Sequence, residues 1–575
     1  MIILVLIWGI IMIIDDFYSG INKSEFYLGM ITQVYKDHIV LQAENLSLLS
    51  HRELEENSLI PSTINYYVVV ESIKGLFFGE IYQSKIASSN NIHFTSKDET
   101  WPEISIDVIG LLANGEDRFK LPGTLTAGIM DKVYIANNRI IEEYFDAVEV
   151  INDSNKNEET LSSFAVLTNN EQEVEYRPST LFDKHLMVVG ATNSGKSTSA
   201  LSILDKLIKQ NIKVLIIDPT GEYEAAFKDV EKLEKLKLGE DTIISVDELS
   251  LQNWEVLLET NDGTQPSVLA SAIRSLRCQA KKGLKGCYVK EDKEVTIVAS
   301  DLSNVKDQKS FNLKDLPEQI IKESVAVQYD NSSRVRKYIT DDFRLNTNQF
   351  LFEKIEYKFN NTAFLDFFGE NSTQGTDTQG TDTQGADTKG TDTKKSLFKE
   401  ICDFATNSNT SLYIDCSGIG MSDSIGGTII DLVSNYIVNI EKDDINPFIF
   451  FIDEVHRYTK KASESGSEFY NGLTTIAREG RKKGIFLFLT TQNPNDVDKV
   501  LLGQVGTLLI HRLTQYDEIS AIQNYLNKQE LAEIKKLNTG EAILTSANLL
   551  TDVALRIRKC EGRIQNNETP SLTGK

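Results

Sequence analysis

The segment Gly190–Ser197 constrains the fold more than any other part of the sequence. It reads GATNSGKS, follows the apolar run HLMVVG and precedes a run with helical periodicity, STSALSILDKLIK. A GxxxxGK[ST] turn between a strand and a helix is typical of loops that hold phosphates with backbone N–H groups and the helix N-terminus. The sequence therefore predicts a strand–loop–helix unit that binds the phosphates of a nucleotide.

Individual residues of this loop have expected roles. Lys196 is expected to contact the β- and γ-phosphates, and the Ser197 hydroxyl is expected to bind Mg²⁺. Asn193 tolerates the left-handed backbone conformation that such loops often need. The predicted nucleotide-binding residues are Gly190, Ala191, Thr192, Asn193, Ser194, Gly195, Lys196, Ser197, Thr198 and Asp218.

Asp218 is included because it ends the strand after the P-loop helix, in the sequence IIDPTGEY. The carboxyl edge of a parallel sheet is where ligands bind in α/β folds. Asp218 either contributes to nucleotide binding or starts a loop that enters a central channel. The alternative, an ordinary turn forced by Pro-Thr-Gly, remains open.

A second motif lies downstream, where the apolar run Phe448–Ile452 is followed by Asp453 and Glu454. An acidic pair after a buried strand, in a chain that also has a P-loop, is the Walker B arrangement. Asp453 is expected to bind Mg²⁺ together with Ser197. Glu454 is expected to act as the general base that polarises the attacking water.

Three further polar residues complete the predicted catalytic set. Gln492 follows the strand IFLFLTT and is expected to sense the γ-phosphate or to orient water. Arg478 and Arg481 lie on or just after a helix. An arginine supplied by a neighbouring subunit can neutralise charge on the transferred phosphate. The alternative is a solvated basic helix end that the helix dipole favours.

Hydrophobic patterning divides the 575 residues into several segments. Short alternating runs with turn residues between them predict a small barrel or sandwich in the first part of the chain. From about residue 181, apolar strands alternate with helices, which predicts an α/β fold with a parallel sheet buried on both faces. The predicted domains are an apolar leader (1–26), a β-barrel (27–150), an α/β core (151–224 and 410–560), a mostly helical insertion (225–409) and a flexible tail (561–575).

Two segments do not fit these domains. Residues 373–394 repeat a pentapeptide such as TQGTD, whose polar composition predicts a disordered loop. Met1–Ile14 is apolar but shorter than the ~20 residues that a membrane-spanning helix needs. It also lacks the features of a signal peptide. A membrane anchor, a buried first element and a non-native leader all remain open, although we expect a cytoplasmic chain without stable membrane association.

The formal net charge of −24 excludes nucleic-acid binding through bulk charge, but not binding through local basic loops. One such cluster is Lys460 and Lys461, in the loop after the Walker B motif. Each basic cluster could equally be a solvated face. The other clusters are Arg481, Lys482 and Lys483, and in the insertion Arg274, Arg277, Lys281, Lys282 and Lys285.

Five separated cysteines without a CxxC favour a reduced chain without disulfides. Six histidines without metal-ligand spacing argue against a zinc site.

The chain resembles the HerA family, in the FtsK–HerA branch of RecA-like ATPases. The resemblance extends in blocks over about residues 181–558. The matching blocks are GATNSGKST, IIDPTGEY, FIFFIDEVHRY, IAREGRKKGIFLFLTTQNP, the stretch from Gly503 to Leu513, and Gly540-Glu541-Ala542.

The resemblance implies a RecA-like P-loop ATPase core with a helical insertion, preceded by a small N-terminal β-barrel. It implies a hexameric ring that hydrolyses ATP with Mg²⁺ and threads double-stranded DNA. In such a ring Lys460 and Lys461 are the favoured DNA-binding candidates, because the loop after the Walker B motif can project toward the ring axis. Arg478 becomes the first candidate for the arginine that acts in trans, and Arg481 the second. Lys184 stands where the family often has another arginine, and lysine lacks the bidentate fork.

HerA-like proteins also work with separate effectors, either nucleases or sirtuin-type NAD-degrading enzymes, in DNA end processing or antiviral defence. This sequence contains no effector motif that we identify, so such an output would need a second polypeptide. Two alternatives remain open. One is a nucleotide-regulated ring scaffold that assembles and activates an effector enzyme. The other is a membrane-anchored secretion or conjugation ATPase, which depends on the apolar leader.

Overall fold

The computed structural model describes residues 13–45, 47–48, 64–86, 102–151, 155–169, 171–261, 263–303, 305, 307–331, 334–361, 364–369, 394–417, 423–459 and 472–563. Its strands are β1 (Tyr27–Val34), β2 (Ile39–Ala43), β3 (Tyr66–Ser72), β4 (Gly75–Ile86), β5 (Pro102–Ala113), β6 (Lys132–Ile135), β7 (Ala165–Leu167), β8 (Glu173–Val174), β9 (Leu186–Val189), β10 (Val214–Asp218), β11 (Leu233–Lys237), β12 (Thr242–Ser245), β13 (Val325–Asp330), β14 (Val335–Thr340), β15 (Phe368–Gly369), β16 (Lys395–Ser396), β17 (Ser411–Asp415), β18 (Phe448–Ile452), β19 (Ile485–Thr491), β20 (Thr507–His511), β21 (Glu541–Ser546) and β22 (Val553–Ile557).

The helices that the structure describes are α1 (Ile13–Phe17), α2 (Asn138–Asp146), α3 (Pro178–Phe182), α4 (Lys196–Lys209), α5 (Leu251–Leu257), α6 (Gln265–Lys281), α7 (Val295–Ser303), α8 (Leu316–Lys322), α9 (Asp342–Asn361), α10 (Phe364–Phe367), α11 (Leu397–Thr406), α12 (Asp423–Val438), α13 (Gly472–Glu479), α14 (Lys499–Gln504), α15 (Tyr516–Ile522) and α16 (Lys528–Glu533). The chain forms two compact units. The first takes its residues from 1–206, 492–495 and 505–560, and the second from 207–491, 496–504 and 561–575.

A closed six-stranded barrel lies in the first unit, with the strand order β1-β2-β5-β4-β3-β6. All neighbouring strands are antiparallel, and closure removes the free edges that an open sheet would expose. The predicted barrel is therefore confirmed. Helix α2 follows it, capped by the Asn137 side chain, which accepts a hydrogen bond from the Ile140 N–H at 3.0 Å. Tyr144 of this helix stacks on Phe78 of β4, with ring centroids 4.1 Å apart.

The short helix α1 also packs against this part of the first unit. The Tyr18 hydroxyl, just after α1, donates to the Ile135 carbonyl at 2.6 Å, and the Asn137 amide donates to the Phe17 carbonyl at 2.9 Å. Of the predicted apolar leader, Met1–Ile14, only the last two residues are described, and Ile14 is fully buried. Among the described helices, none has both the length and the apolar character needed to cross a bilayer.

The other strands of the first unit follow the order β9-β20-β21-β22-β7-β8. β9 and β20 are parallel, with Val189 opposite Ile510, and the remaining pairs are antiparallel. The sequence patterns predicted β9 but not the strands beyond it. β20 pairs with β9, and β22 pairs with β7, so two of these pairings join segments that are distant in the sequence.

Five parallel strands form the sheet of the second unit, in the order β11-β17-β10-β18-β19. Every residue of β10, β17 and β18 is buried, as expected for strands covered on both faces. The α/β class and four of these strands are confirmed. The boundary of the predicted insertion needs a correction, because residues 233–237 lie inside 225–409 but form β11, which pairs in register with β17.

The rest of that segment contains helices α5 to α11 and two small sheets. β12 pairs with β15 and β16, and among the described strands β13 pairs with β14 alone. The repeat 373–394 lies outside the described residues except for Lys394.

The predicted tail also needs a correction at its start. Arg563 is only 8% exposed, and its guanidinium donates to the Ala226 carbonyl at 3.1 Å and pairs with Asp229.

One buried histidine connects β20 to the start of α4. His511 Nδ1 lies 2.8 Å from the Glu541 carbonyl, and Nε2 lies 2.7 Å from the Ser199 hydroxyl. Because a carbonyl only accepts, Nδ1 carries the proton and Nε2 accepts from Ser199. Burial lowers the pKa of His511 to about 4, against the opposing effect of the Glu541 hydrogen bond and with a smaller contribution from the Lys196 charge. The imidazole is therefore neutral near pH 7.

We expect this histidine to make stability depend on pH. Unfolded His511 has an ordinary pKa near 6.5 and binds a proton that the folded state does not bind until about pH 4. The free energy of unfolding should therefore fall as the pH drops from about 6.5 to about 4, by at most about 1.4 kcal/mol per pH unit from this group. Urea unfolding at several pH values should show this fall in the parent and a shallower one in His511→Asn.

The partly exposed His38 provides the control, because His38→Asn leaves the β20–α4 contact intact. A flattening of the slope in His511→Asn beyond that in His38→Asn is then specific to the buried imidazole. Equal slopes for the parent and His511→Asn between pH 6.5 and 4 would contradict the neutral, buried imidazole.

Candidate nucleotide-hydrolysis site

The loop between β9 and α4 has the backbone conformation of a phosphate-binding loop. Asn193 and Gly195 both have positive φ, at 62° and 110°. The prediction that Asn193 adopts a left-handed conformation is confirmed. Gly195 has a second constraint, because a Cβ there would lie 3.0 Å from the Gly540 backbone. A side chain at position 195 would therefore displace the turn that precedes β21.

Polar groups of the first unit support this loop from one side. The Ala191 N–H donates to the Arg512 carbonyl at 3.0 Å, and the Gly540 N–H donates to the Ser194 carbonyl at 2.9 Å. The backbone N–H groups of Asn193 and Gly195, in contrast, have no acceptor among the described residues. They precede the N-terminus of a 14-residue helix, where unpaired N–H groups and the helix dipole favour an anion. The loop therefore fits the phosphates of a nucleotide.

The structure brings one predicted catalytic side chain to this loop. The Thr192 hydroxyl donates to Gln492 Oε1 at 2.8 Å, across 300 residues of sequence. Lys196 is buried, at 5% exposure, while Ser197 and Thr198 are partly exposed at the first turn of α4. Gln492 is thus placed beside the phosphate-binding loop, where its predicted role requires it.

In the second unit, one threonine orders the Walker B residues. The Thr490 hydroxyl donates to Asp453 and accepts from the Glu454 N–H, the latter at 3.1 Å. Glu454 has φ 49° and ψ 46°, a left-handed conformation that is costly for a residue with a side chain. His456 Nδ1 lies 3.3 Å from Glu454 Oε2 and 3.2 Å from the Thr491 hydroxyl. These contacts restrain Glu454 in a conformation that it would rarely adopt alone.

The observed contacts of Asp218 are structural. Its carboxylate, 2% exposed, accepts from the N–H groups of Thr220, Gly221 and Tyr223 at 2.9–3.0 Å, and from the hydroxyls of Thr220 and Tyr413 at 2.8 and 2.9 Å. Five donors occupy most of its acceptor sites. They fix the turn after β10, and a contact of Asp218 with nucleotide stays a prediction.

The predicted arginine finger lies at an exposed helix end. Arg478 belongs to the last turn of α13, is exposed, and makes no side-chain hydrogen bond or ion pair with the rest of the described chain. Arg481 is also exposed, in the 3₁₀ turn that follows. Lys483 of the same basic run is different, because its ammonium donates to the carbonyls of Val438 and Ile440 at the end of α12. Lys483 is therefore a capping residue.

The favoured DNA-binding pair, Lys460 and Lys461, lies outside the described residues. Three of the basic residues predicted as alternatives in the insertion are engaged within it. Arg274 donates to the Leu302 carbonyl at 2.9 Å, Arg277 donates to the Lys309 carbonyl at 3.0 Å, and Lys282 pairs with Asp301 at 2.6 Å.

Sequence reasoning missed His511 and Gly540, which support the phosphate-binding loop. Both stand in segments that were quoted only for their resemblance to a family, without a role. A glycine or histidine at a strand end has no periodic signal, and only the contact with the loop shows what it does. Thr490 lies within the predicted strand IFLFLTT, but its bonds to both acidic residues of the Walker B motif could not be foreseen.

Comparison with known proteins assigns the chain to a family. The family described as "Helicase HerA, central domain" matches residues 165–388, and "Helicase HerA-like C-terminal" matches residues 437–548. A HerA described as a DNA double-strand break repair helicase, from Sulfurisphaera tokodaii, is 24% identical over 71% of this chain and 70% of its own. A probable HerA from Methanocaldococcus jannaschii is 21% identical over 88% of this chain and 95% of its own.

Two solved structures are similar to this chain at lower sequence identity. VirB4 of Thermoanaerobacter pseudethanolicus has a TM-score of 0.46 and 14% identity, over 72% of this chain and 98% of that one. The plasmid coupling protein TrwB, in complex with ADP and Mg²⁺, has a TM-score of 0.43 and 13% identity, over 73% of this chain and 97% of that one.

The two HerA family matches together cover more than half of the sequence and include its P-loop and most of its catalytic motifs. The chain therefore belongs to the HerA helicase family of P-loop ATPases.

Proposed function

We propose that this chain is a homo-hexameric, ATP-hydrolysing translocase that moves on double-stranded DNA and works with a separate effector. The observation that carries the hydrolytic part is the loop Gly190–Gly195, next to Gln492. In it the N–H groups of Asn193 and Gly195 have no acceptor among the described residues, which suits a nucleoside triphosphate. DNA as the substrate is supported by the relatives, which are described as DNA double-strand break repair helicases. The effector, a nuclease or an NAD-degrading enzyme, is the least supported part of the proposal.

The residues divide the chemistry of hydrolysis among them. Lys196 and the loop N–H groups bind the phosphates. Ser197 and Asp453 are the residues that would hold Mg²⁺, and the ion would supply neutralisation of phosphate charge. Glu454 accepts a proton from the attacking water, and Gln492 orients that water or detects the γ-phosphate. The hydrogen bonds of Thr490 keep Asp453 and Glu454 in place.

Arg478 is proposed to act on the nucleotide of a neighbouring subunit. An exposed guanidinium that has no partner among the residues that the structure describes is available for a second chain. In the transition state it would neutralise charge that develops on the transferred phosphate. Arg481 is the second candidate for this role. This division of the site between subunits is the reason to propose a ring rather than a monomer.

Two substitutions distinguish the residue proposed to bind ATP from the residue proposed to hydrolyse it. Lys196→Ala should weaken ATP binding, because the cation that contacts the phosphates is lost. Glu454→Gln should bind ATP normally but hydrolyse it about 100-fold or more slowly, because the shape is kept and the base is lost. Equilibrium binding of a fluorescent ATP analogue and steady-state phosphate release measure the two effects. A Glu454→Gln variant that turns over at the parental rate would refute the assignment of the base.

The action of Arg478 in trans has its own test. Arg478→Ala should bind ATP normally and hydrolyse it about 10³-fold more slowly, the usual effect of removing an arginine finger. Mixing it with Lys196→Ala protein should restore part of the activity, because some interfaces then combine an intact P-loop with an intact arginine. The neighbouring exposed Lys482→Ala is the matched control and should retain parental turnover. Absence of recovery in freely exchanging mixtures would argue against action in trans.

A further inference from the structure

A two-stranded hairpin in the insertion is formed by β13 and β14, and β14 also bonds to the backbone of residues 292–294. Among the described strands it pairs with no third one. Exposure rises along β13, from 7% at Val325 to 49% at Val327 and 55% at Tyr329. At the base, Tyr338 of β14 packs on a small core that includes Cys278 and Tyr288. The hairpin thus has an anchored base and an exposed far end.

The register of the hairpin separates its charged residues onto two faces. Tyr329 lies opposite Arg336, and Gln328 lies opposite Lys337. Residues directly opposite each other share a face, and successive residues alternate between faces. Arg336 and Tyr329 therefore lie on one face near the far end. Lys337 lies on the other.

The basic groups on the two faces have different surroundings. Lys337 pairs with Asp330 at 3.0 Å, and the carboxylates of Asp330, Asp292 and Glu294 raise the pKa of Lys337. Arg336 and Arg334, both exposed, make no ion pair or hydrogen bond with any described residue. The positive charge of Lys337 is thus neutralised within the chain. The two guanidiniums remain available to a ligand.

The chemistry of this end suits a phosphodiester backbone. Exposed guanidiniums bind phosphate oxygens with paired N–H groups, and a tyrosine hydroxyl is a common phosphate donor in protein–DNA interfaces. The segment 325–340 contains three basic residues and one acidic residue, in a chain whose formal net charge is −24. One residue, Val335, separates Arg334 from Arg336 in the sequence. Each strand of duplex DNA carries one phosphate charge every 3.4 Å along the helix axis. Both side chains can therefore reach phosphates of one strand.

We propose that the far end of the β13–β14 hairpin, with Tyr329, Arg334 and Arg336, binds the phosphate backbone of duplex DNA. This inference rests on the proposed function, since it assigns a contact to the DNA substrate. Phosphate contacts do not read bases, so binding through the hairpin is independent of sequence. Because each such contact releases counterions, it adds to the salt dependence of DNA binding.

A salt titration of duplex binding by the full-length protein tests the assignment. Fluorescence anisotropy with a labelled duplex of random sequence gives the slope of log K against log salt between about 50 and 200 mM. The double variant Arg334→Ala/Arg336→Ala should reduce the magnitude of this slope by about 1.8 for each hairpin that contacts the DNA, at about 0.9 per phosphate. Lys337→Ala, on the same strand, is the matched control and should keep the parental slope.

Additional variants separate this proposal from a structural defect in the hairpin and from DNA binding elsewhere in the chain. Arg334→Lys/Arg336→Lys keeps both charges and should retain most of the slope, whereas a purely structural defect would not be rescued in this way. ATP turnover without DNA should be unchanged in the double alanine variant. A parental slope in that variant would overturn the hairpin assignment, as would loss of the slope only in Lys460→Ala/Lys461→Ala. If the parent does not bind duplex DNA at all, the proposed function itself fails.

Discussion

The nucleotide site depends on a constraint on the backbone of the loop between β9 and α4. To bind phosphates, the loop must leave N–H groups unpaired on one side, so its other polar groups need partners on the opposite side. Gly540 provides one such partner for the Ser194 carbonyl, and Arg512 provides another for the Ala191 N–H. At Gly195 the two chain segments approach so closely that a Cβ would not fit. The strands β20 and β21 are therefore part of the site, although the P-loop motif does not include them.

A similar dependence on supporting groups applies to the predicted catalytic residues of the second unit. Glu454 adopts a left-handed conformation directly after a fully buried strand, and its N–H is held by the Thr490 hydroxyl. The same hydroxyl donates to Asp453. A single substitution at Thr490 would thus affect both residues of the Walker B motif. In this HerA-family ATPase, as elsewhere, the motif residues act only within the geometry that their neighbours impose.

Local patterns were sufficient to predict the barrel strands, the buried parallel strands and the loop conformation at Asn193. These features follow from residue periodicity and from motifs within a few positions. Contacts between distant residues were not predictable. His511 bonds to a residue 312 positions away, and Arg563 binds Ala226, 337 positions away. The Asp218 carboxylate shows the same limit, because its hydrogen bond from the Tyr413 hydroxyl comes from 195 positions away.

The central claim is that the phosphate-binding loop serves an ATPase that is driven along duplex DNA. The most direct test is the steady-state rate of ATP hydrolysis by the unmodified full-length protein with Mg²⁺, measured with and without long linear duplex DNA. The account predicts hydrolysis that requires Mg²⁺ and accelerates as duplex DNA is added, with little dependence on its sequence. Hydrolysis at a rate that duplex DNA leaves unchanged, at every protein and salt concentration where the DNA is bound, would contradict it.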